Sequence, residues 1–348
     1  MFMLKKLLLI PLLVLLTGAL WYGVSSRSRE EITTVIEENL GGLIEEKDVH
    51  PLQIAEMRKG EYPGSEITIE QNLADGSNYK RYIASYKSEG LKIFALLTVP
   101  SGGTPTGGWP VIVFNHGYIQ PEIYATTEKY VAYQDGFARR GYVTLKSDYR
   151  GHGNSEGKPE GAYYSTAYTT DALNAVSSLK KLGYVNPLKI GMWGHSMGGH
   201  ITLRSMVVTD DVKAGVIWGG VVASYQDMAE NWRRTSGWRP SPRQSEAFRP
   251  TRQQLIDKYG DWNTNPDFWN SISPISFVSD ISGPIQLDHG LADESVPWEF
   301  SESLNNALVE TGKAVEYYTY PGTDHNLSGS AFNTAMTRSV GFFDKYLK

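Results

Sequence analysis

The chain contains no cysteine. That excludes disulfides, thiolate metal sites, a cysteine nucleophile and a lipid-modified N-terminal cysteine. It leaves the compartment open, because an oxidising compartment permits disulfides without requiring them. A basic excess is also missing: 33 Lys and Arg stand against 38 Asp and Glu, a net charge of −5, so no nucleic-acid partner is expected. No Gly-x-Gly-x-x-Gly opens a helix, no phosphate loop is present, and no His/Asp cluster has metal-ligand spacing. Neither a cofactor nor a metal is expected. Internal repeats are absent too.

What is present fits a globular protein with a sizeable core: 348 residues, 41% of them hydrophobic, enough for one large or two small domains. Lys5 and Lys6 precede a run without charge from Leu7 to Val24. Its length lies between a signal-peptide core, about 7–15 residues, and a spanning helix, about 20. Residues 1–26 are therefore read as a signal peptide or N-terminal membrane anchor, which places the remainder outside the cytoplasm, in the cell envelope or secreted. Residues 27–65 are acidic at their start, with Ile32, Val35, Ile36 and Leu40 at helical spacing, and read as a stalk or linker.

From residue 66 the pattern becomes that of one large domain. Segments 66–71, 80–86 and 91–99 alternate polar and apolar residues, as antiparallel strands with one wet face do. Then buried strands alternate with helices. Strands are expected at 111–115, 142–147, 189–193, 214–222, 284–288 and 315–320. Helices are expected at 127–140, 170–182, 198–208, 298–311 and 330–347. This is a mostly parallel mixed sheet with helices on both faces. Residues 224–283 interrupt the rhythm and are too long for a simple crossover. They hold Trp232, Trp238, Trp262 and Trp269 and six arginines, and read as a lid insertion over the C-terminal edge of the sheet.

Gly194-His195-Ser196-Met197-Gly198 lies between an expected strand and an expected helix. That is the setting of a nucleophile elbow, where a sharp turn exposes a serine above the sheet. Ser196 is the candidate nucleophile. A serine hydroxyl needs a base, and His325, in the loop after the last strand, is the histidine best placed to serve. His195 adjoins Ser196 and should point away from it. His116 and His289 sit in His-Gly turns, and His50, His152 and His200 suit structural roles. The base needs an acid to fix its tautomer. Asp293, just past a strand end, fits better than Asp288, still in the strand, or Asp324, adjacent to His325. The order Ser, Asp, His is that of the α/β-hydrolase fold. The N–H of Met197 and the N–H of Tyr118, after Asn115-His116-Gly117, are the expected oxyanion donors. Glu122, Trp232 and Trp238 are candidate substrate contacts, and Arg150 is read as an architectural clamp.

The Gly-His-Ser-Met-Gly-Gly elbow, the segment 148–155, His289-Gly290-Leu291-Ala292-Asp293 followed by Val296-Pro297, and the terminal His325 resemble the catalytic domain of the prolyl oligopeptidase family. Dienelactone-hydrolase-like esterases share them, and feruloyl esterases and some polyester hydrolases also look similar. The resemblance covers about residues 66–348. It implies Ser196, Asp293 and His325 as the triad, and Tyr118 and Met197 as oxyanion donors. Oligopeptidases of this family carry a β-propeller before the catalytic domain. Here some forty residues separate the apolar run from the first strand, so the propeller's gate and peptide-terminus anchors are expected to be missing. The expectation is a serine hydrolase acting on a small ester or short peptide, first of all a carboxylesterase. The alternatives are a serine peptidase and a catalytically inactive binding protein on the same fold.

Overall fold

The computed structural model describes residues 49–232 and 242–348, and of residues 242–250 the backbone alone. The stretch 1–48, with the apolar run and the start of the expected acidic stalk, and Trp238 lie outside the described residues. The compact unit runs from His50 to Lys348. It thus begins upstream of the boundary expected at residue 66. The short helix α1 (Ile54–Met57) buries Ile54 and Met57, with Leu52 just before it, against the rest of the unit.

Nine strands form one sheet: β1 (Thr68–Asn72), β2 (Tyr79–Ser88), β3 (Leu91–Pro100), β4 (Trp109–Asn115), β5 (Val143–Ser147), β6 (Val185–His195), β7 (Ala214–Trp218), β8 (Ile285–Gly290) and β9 (Val315–Tyr320). Their spatial order is β1-β2-β3-β5-β4-β6-β7-β8-β9. The pairs β1–β2, β2–β3 and β3–β5 are antiparallel, and every pairing from β5 through β4 to β9 is parallel. The helices are α2 (Val131–Ala138), α3 (Ala167–Leu179), α4 (Met197–Val208), α5 (Tyr225–Glu230), α6 (Pro242–Tyr259), α7 (Pro266–Ile272), α8 (Glu299–Glu310) and α9 (Ser330–Leu347). This is the expected α/β-hydrolase architecture.

Alternation along the strands builds two cores, because successive side chains leave opposite faces. Val111 and Val113 of β4 join α3, α4 and α8 through Ala172, Val176, Ile201, Met206, Phe300 and Leu304. Ile112 and Phe114, their neighbours, join α2 and α9 through Phe137, Val340 and Phe343. A sheet covered on both faces leaves only its strand ends for chemistry, and the loops at the C-terminal ends carry the site.

Some elements are shorter than expected. The helix expected at 127–140 starts only at Val131, because Lys129 and Tyr130 have φ of 45° and 55°, a left-handed conformation no helix can include. The strand expected at 214–222 stops at Trp218, where Gly219 turns the chain at φ 51°. No helix among the described residues is long and apolar enough to cross a membrane.

Candidate active site

β6 ends at His195 and α4 begins at Met197, leaving Ser196 alone to reverse the chain. Ser196 has φ 56° and ψ −118°. That backbone strain is held by its neighbours: Ser196 N–H donates to Trp218 O at 3.0 Å, and Ser196 O accepts from Gly199 N–H at 3.0 Å and Val221 N–H at 3.1 Å. The glycines flanking the serine are steric necessities. A Cβ on Gly194 would strike the carbonyl of Gly198, and one on Gly198 would strike the carbonyl of Asn115. Ser196 therefore stands at the N-terminus of α4, whose first N–H groups, that of Met197 foremost, have no intrahelical acceptor.

His325 lies in the loop after β9. Its Nδ1 is 2.6 Å from Oδ2 of Asp293, which follows β8. The same Oδ2 is 3.1 Å from His289 Nε2. Oδ1 of Asp293 accepts from the N–H groups of Ser295 at 2.8 Å and Val296 at 2.9 Å. Burial alone would raise this carboxyl, but the hydrogen bonds from His289 and His325 outweigh it and hold it well below the usual carboxylate range. Asp293 is thus an anion with a fully buried side chain. His289 is itself oriented by Ser301, whose Oγ is 2.7 Å from its Nδ1. The other two carboxylates weighed for this role point elsewhere. Asp288 accepts from Tyr320 Oη at 2.6 Å and from Gln286 Nε2 at 2.5 Å. Asp324 accepts from the N–H and Oγ of Ser328 at the surface.

The loop after β4 passes directly beside the serine: a Cβ on Gly117 would lie 3.2 Å from Ser196 Cβ. Gly117 O is 2.7 Å from Nδ1 of the buried His116. Burial holds His116 well below the ordinary histidine range, so its ring is neutral and donates from Nδ1 to that carbonyl. In a trans peptide C=O and N–H point in opposite directions. The N–H of Tyr118 therefore points away from His116.

A cavity of about 560 Å³ opens over Ser196, within the range of small-molecule sites. Gly117, Tyr118, Met197 and His325 line it. So do Met228, Trp232 and Arg252, from the segment 224–283. Trp232 Nε1 donates to Ser295 O at 2.8 Å, tying this segment to the loop that carries Asp293. Glu122 is exposed, in a single 3₁₀ turn (Pro121–Ile123), and is not among the lining residues. Its charge still reaches Tyr118, whose phenol is pushed up to about 12, chiefly by burial. The carboxylate that does line the cavity is Glu160, which sequence reasoning passed over because it lies in a loop without a motif. Among the described residues no group of three His, Asp or Glu could hold a metal.

A family model described as the prolyl oligopeptidase family matches residues 130–348, more than half of the chain. The chain belongs to the prolyl oligopeptidase family. With its fold, this makes the protein a serine hydrolase, an esterase or a peptidase. In Bacillus subtilis, the "uncharacterized peptidase YtmA" is 24% identical to this family member over 251 residues, 70% of this chain and 85% of the relative. The "uncharacterized peptidase YuxL" is 24% identical over 225 residues, and the match spans only 31% of its length. Among solved structures, Porphyromonas gingivalis dipeptidyl peptidase 4 has a TM-score of 0.60 at 22% identity, covering 78% of this chain and 36% of its own. The acetyl xylan esterase from Paenibacillus sp. R4 has a TM-score of 0.61 at 17% identity, covering 84% and 92%. At these identities the two structures show a shared fold with this prolyl oligopeptidase family member and nothing more specific.

Proposed function

We propose that the protein is a carboxylesterase acting on small aryl or feruloyl-type esters through an acyl-enzyme on Ser196. His325 is the base, Asp293 its orienting acid, and the N–H groups of Met197 and Tyr118 the oxyanion donors. With Asp293 on Nδ1, Nε2 of His325 is the nitrogen that takes the serine proton as Oγ attacks the carbonyl carbon. The bond to the alcohol oxygen then breaks, and His325 returns that proton to the leaving alcohol. Water, deprotonated by the same Nε2, cleaves the acyl-enzyme, releases the acid and restores Ser196.

The cavity lining carries the preference for esters. Tyr118, Tyr163, Tyr164, Met228, Trp232 and Val296 give it an aromatic and apolar wall suited to an acyl group with a ring. Met228 and Trp232 come from the segment read as a lid. An aryl oxide leaves readily, whereas an amine leaves only once it is protonated. One observation favours the second reading, a peptidase: Glu160 lines the same cavity, and its Oε2 accepts from Ser165 Oγ at 2.8 Å, so a carboxylate is present that could hold a free amine.

The test is kcat/KM for an aryl ester and for an aminoacyl anilide of the same acyl group. The ester should be the better substrate. An anilide value equal to or above it makes the protein a peptidase, and Glu160→Gln would then lower the anilide value selectively.

A further inference from the structure

A continuous chain of hydrogen bonds joins two halves of the site without touching the reacting atoms. Gly117 N–H donates to Tyr130 Oη at 3.0 Å. Tyr130 Oη is 2.7 Å from His195 Nδ1. His195 Nε2 is 2.9 Å from the carbonyl oxygen of His325. One arrangement of protons satisfies every member. A carbonyl only accepts, so His195 Nε2 carries a proton. Nδ1 of the neutral ring then accepts from the Tyr130 hydroxyl, whose oxygen keeps a lone pair for Gly117. Burial, reinforced by the neighbouring His325, pushes His195 down to about 3, so the ring stays neutral through the working pH range.

We propose that Tyr130 and His195 are positioning residues that tie the oxyanion loop to the loop bearing the base, so that side chains and not loop stiffness set the distance between them. The inference rests on the reading of Ser196, His325 and Tyr118 given above. Three features support a positioning role over plain packing. Gly117 follows β4, and His195 ends its neighbour β6, but His325 follows β9, and β7 and β8 lie between β6 and β9 in the sheet, so the bond from His195 to the His325 carbonyl joins segments that no strand pairing connects. The tie is made where tolerance is least: a Cβ on Gly117 would lie 2.5 Å from Tyr130 Oη and 3.2 Å from Ser196 Cβ. Finally, the peptides on either side of Gly117 are both held, its N–H by Tyr130 and its C=O by His116, which fixes the direction of the Tyr118 N–H.

The experiment uses the full chain and compares wild type, Tyr130→Phe, His195→Asn, the double variant and Ser196→Ala. Tyr130→Phe keeps the ring and its packing. His195→Asn keeps an acceptor near Nδ1 and loses the bond to His325. Each single variant should lose about 10- to 100-fold in kcat, with KM within about twofold, the scale expected of an ångström-sized misplacement. Affinity for an aryl boronic acid, which forms a tetrahedral adduct on the serine, should fall by the same factor as kcat/KM. Because one chain runs through both residues, the double variant should lose little more than the worse single one. Single variants at wild-type kcat, or a double loss equal to the product of the single losses, would overturn the inference while Ser196→Ala remains inactive. Turnover persisting in Ser196→Ala would overturn the reading of the site and this inference with it. Should Tyr130→Phe fail to fold, His195→Asn carries the same test of kcat, KM and boronate affinity alone.

Discussion

Asp293 accepts from two histidines and two backbone amides. A group so completely engaged leaves its anion little freedom, and His325, the proposed base, inherits that fixed orientation. An amide in its place keeps the shape but presents a donor where two histidines also donate, which forces the wrong tautomer on His325. Asp293→Asn should therefore lower kcat by about 10⁴, whereas Asp324→Asn, whose carboxylate serves only the Ser328 turn, should leave it within about threefold. The opposite ranking, measured as kcat on one aryl ester, would move the acid to Asp324. At this scale the sequence placed Ser196, Asp293 and His325 each just past an expected strand, and the structure brings Asp293 and His325 within 2.6 Å of each other. It was silent about Tyr130 and Glu160, because neither sits in a motif. The link from Tyr130 to His195 exists only once the chain is folded.

Among the elements, the loop after β5 shows how a turn is locked to a helix. Arg150 N–H donates to Asp171 Oδ2 at 2.9 Å, its Nη2 to Oδ1 at 2.7 Å, and its Nε reaches both oxygens. Asp171 lies in α3 and is fully buried; Glu89, the second partner of Arg150, is exposed. Removing Asp171 takes away the buried carboxylate and leaves the largely buried guanidinium of Arg150 to the exposed Glu89. Asp171→Ala should cost about 3–5 kcal/mol in urea unfolding while leaving kcat/KM of the folded enzyme within about twofold. A stability change below about 1 kcal/mol, the scale of an exposed pair, would show that the clamp does not hold the loop. Periodicity found most of these elements and misplaced several ends. The last helix and last strand matched, since an amphipathic run ends where its polarity changes. The helix at Val131 was read too long, because a lysine and a tyrosine in the left-handed region give no such warning as a glycine would.

For the molecule as a whole, alternation of strands and helices established the parallel sheet but not its order. That β4 lies between β5 and β6 follows from which apolar faces fit together, which no local pattern encodes. The sheet's interior also carries a titratable load. Burial raises the Asp288 carboxyl from 3.8 to about 7, despite its bonds to Tyr320 and Gln286. A raised folded-state value means that the native protein holds a proton the unfolded chain has released. Stability from this group is therefore full below about pH 3.8 and is lost as pH rises through about 7, at up to about 1.4 kcal/mol per pH unit. Asp288→Asn removes that dependence, so the variant should gain on wild type in urea unfolding between pH 4.5 and 7.5 (about three units of change at most). A gap between the two that stays constant with pH would contradict the assignment. The proposed mechanism turns on covalent chemistry at Ser196. It is tested most directly by acid-quenching the enzyme during turnover of an aryl ester and mapping the mass increase. One acyl group is expected on the peptide containing Ser196, and neither adduct nor turnover in Ser196→Ala. An acyl group on another residue, or turnover surviving in Ser196→Ala, would contradict it.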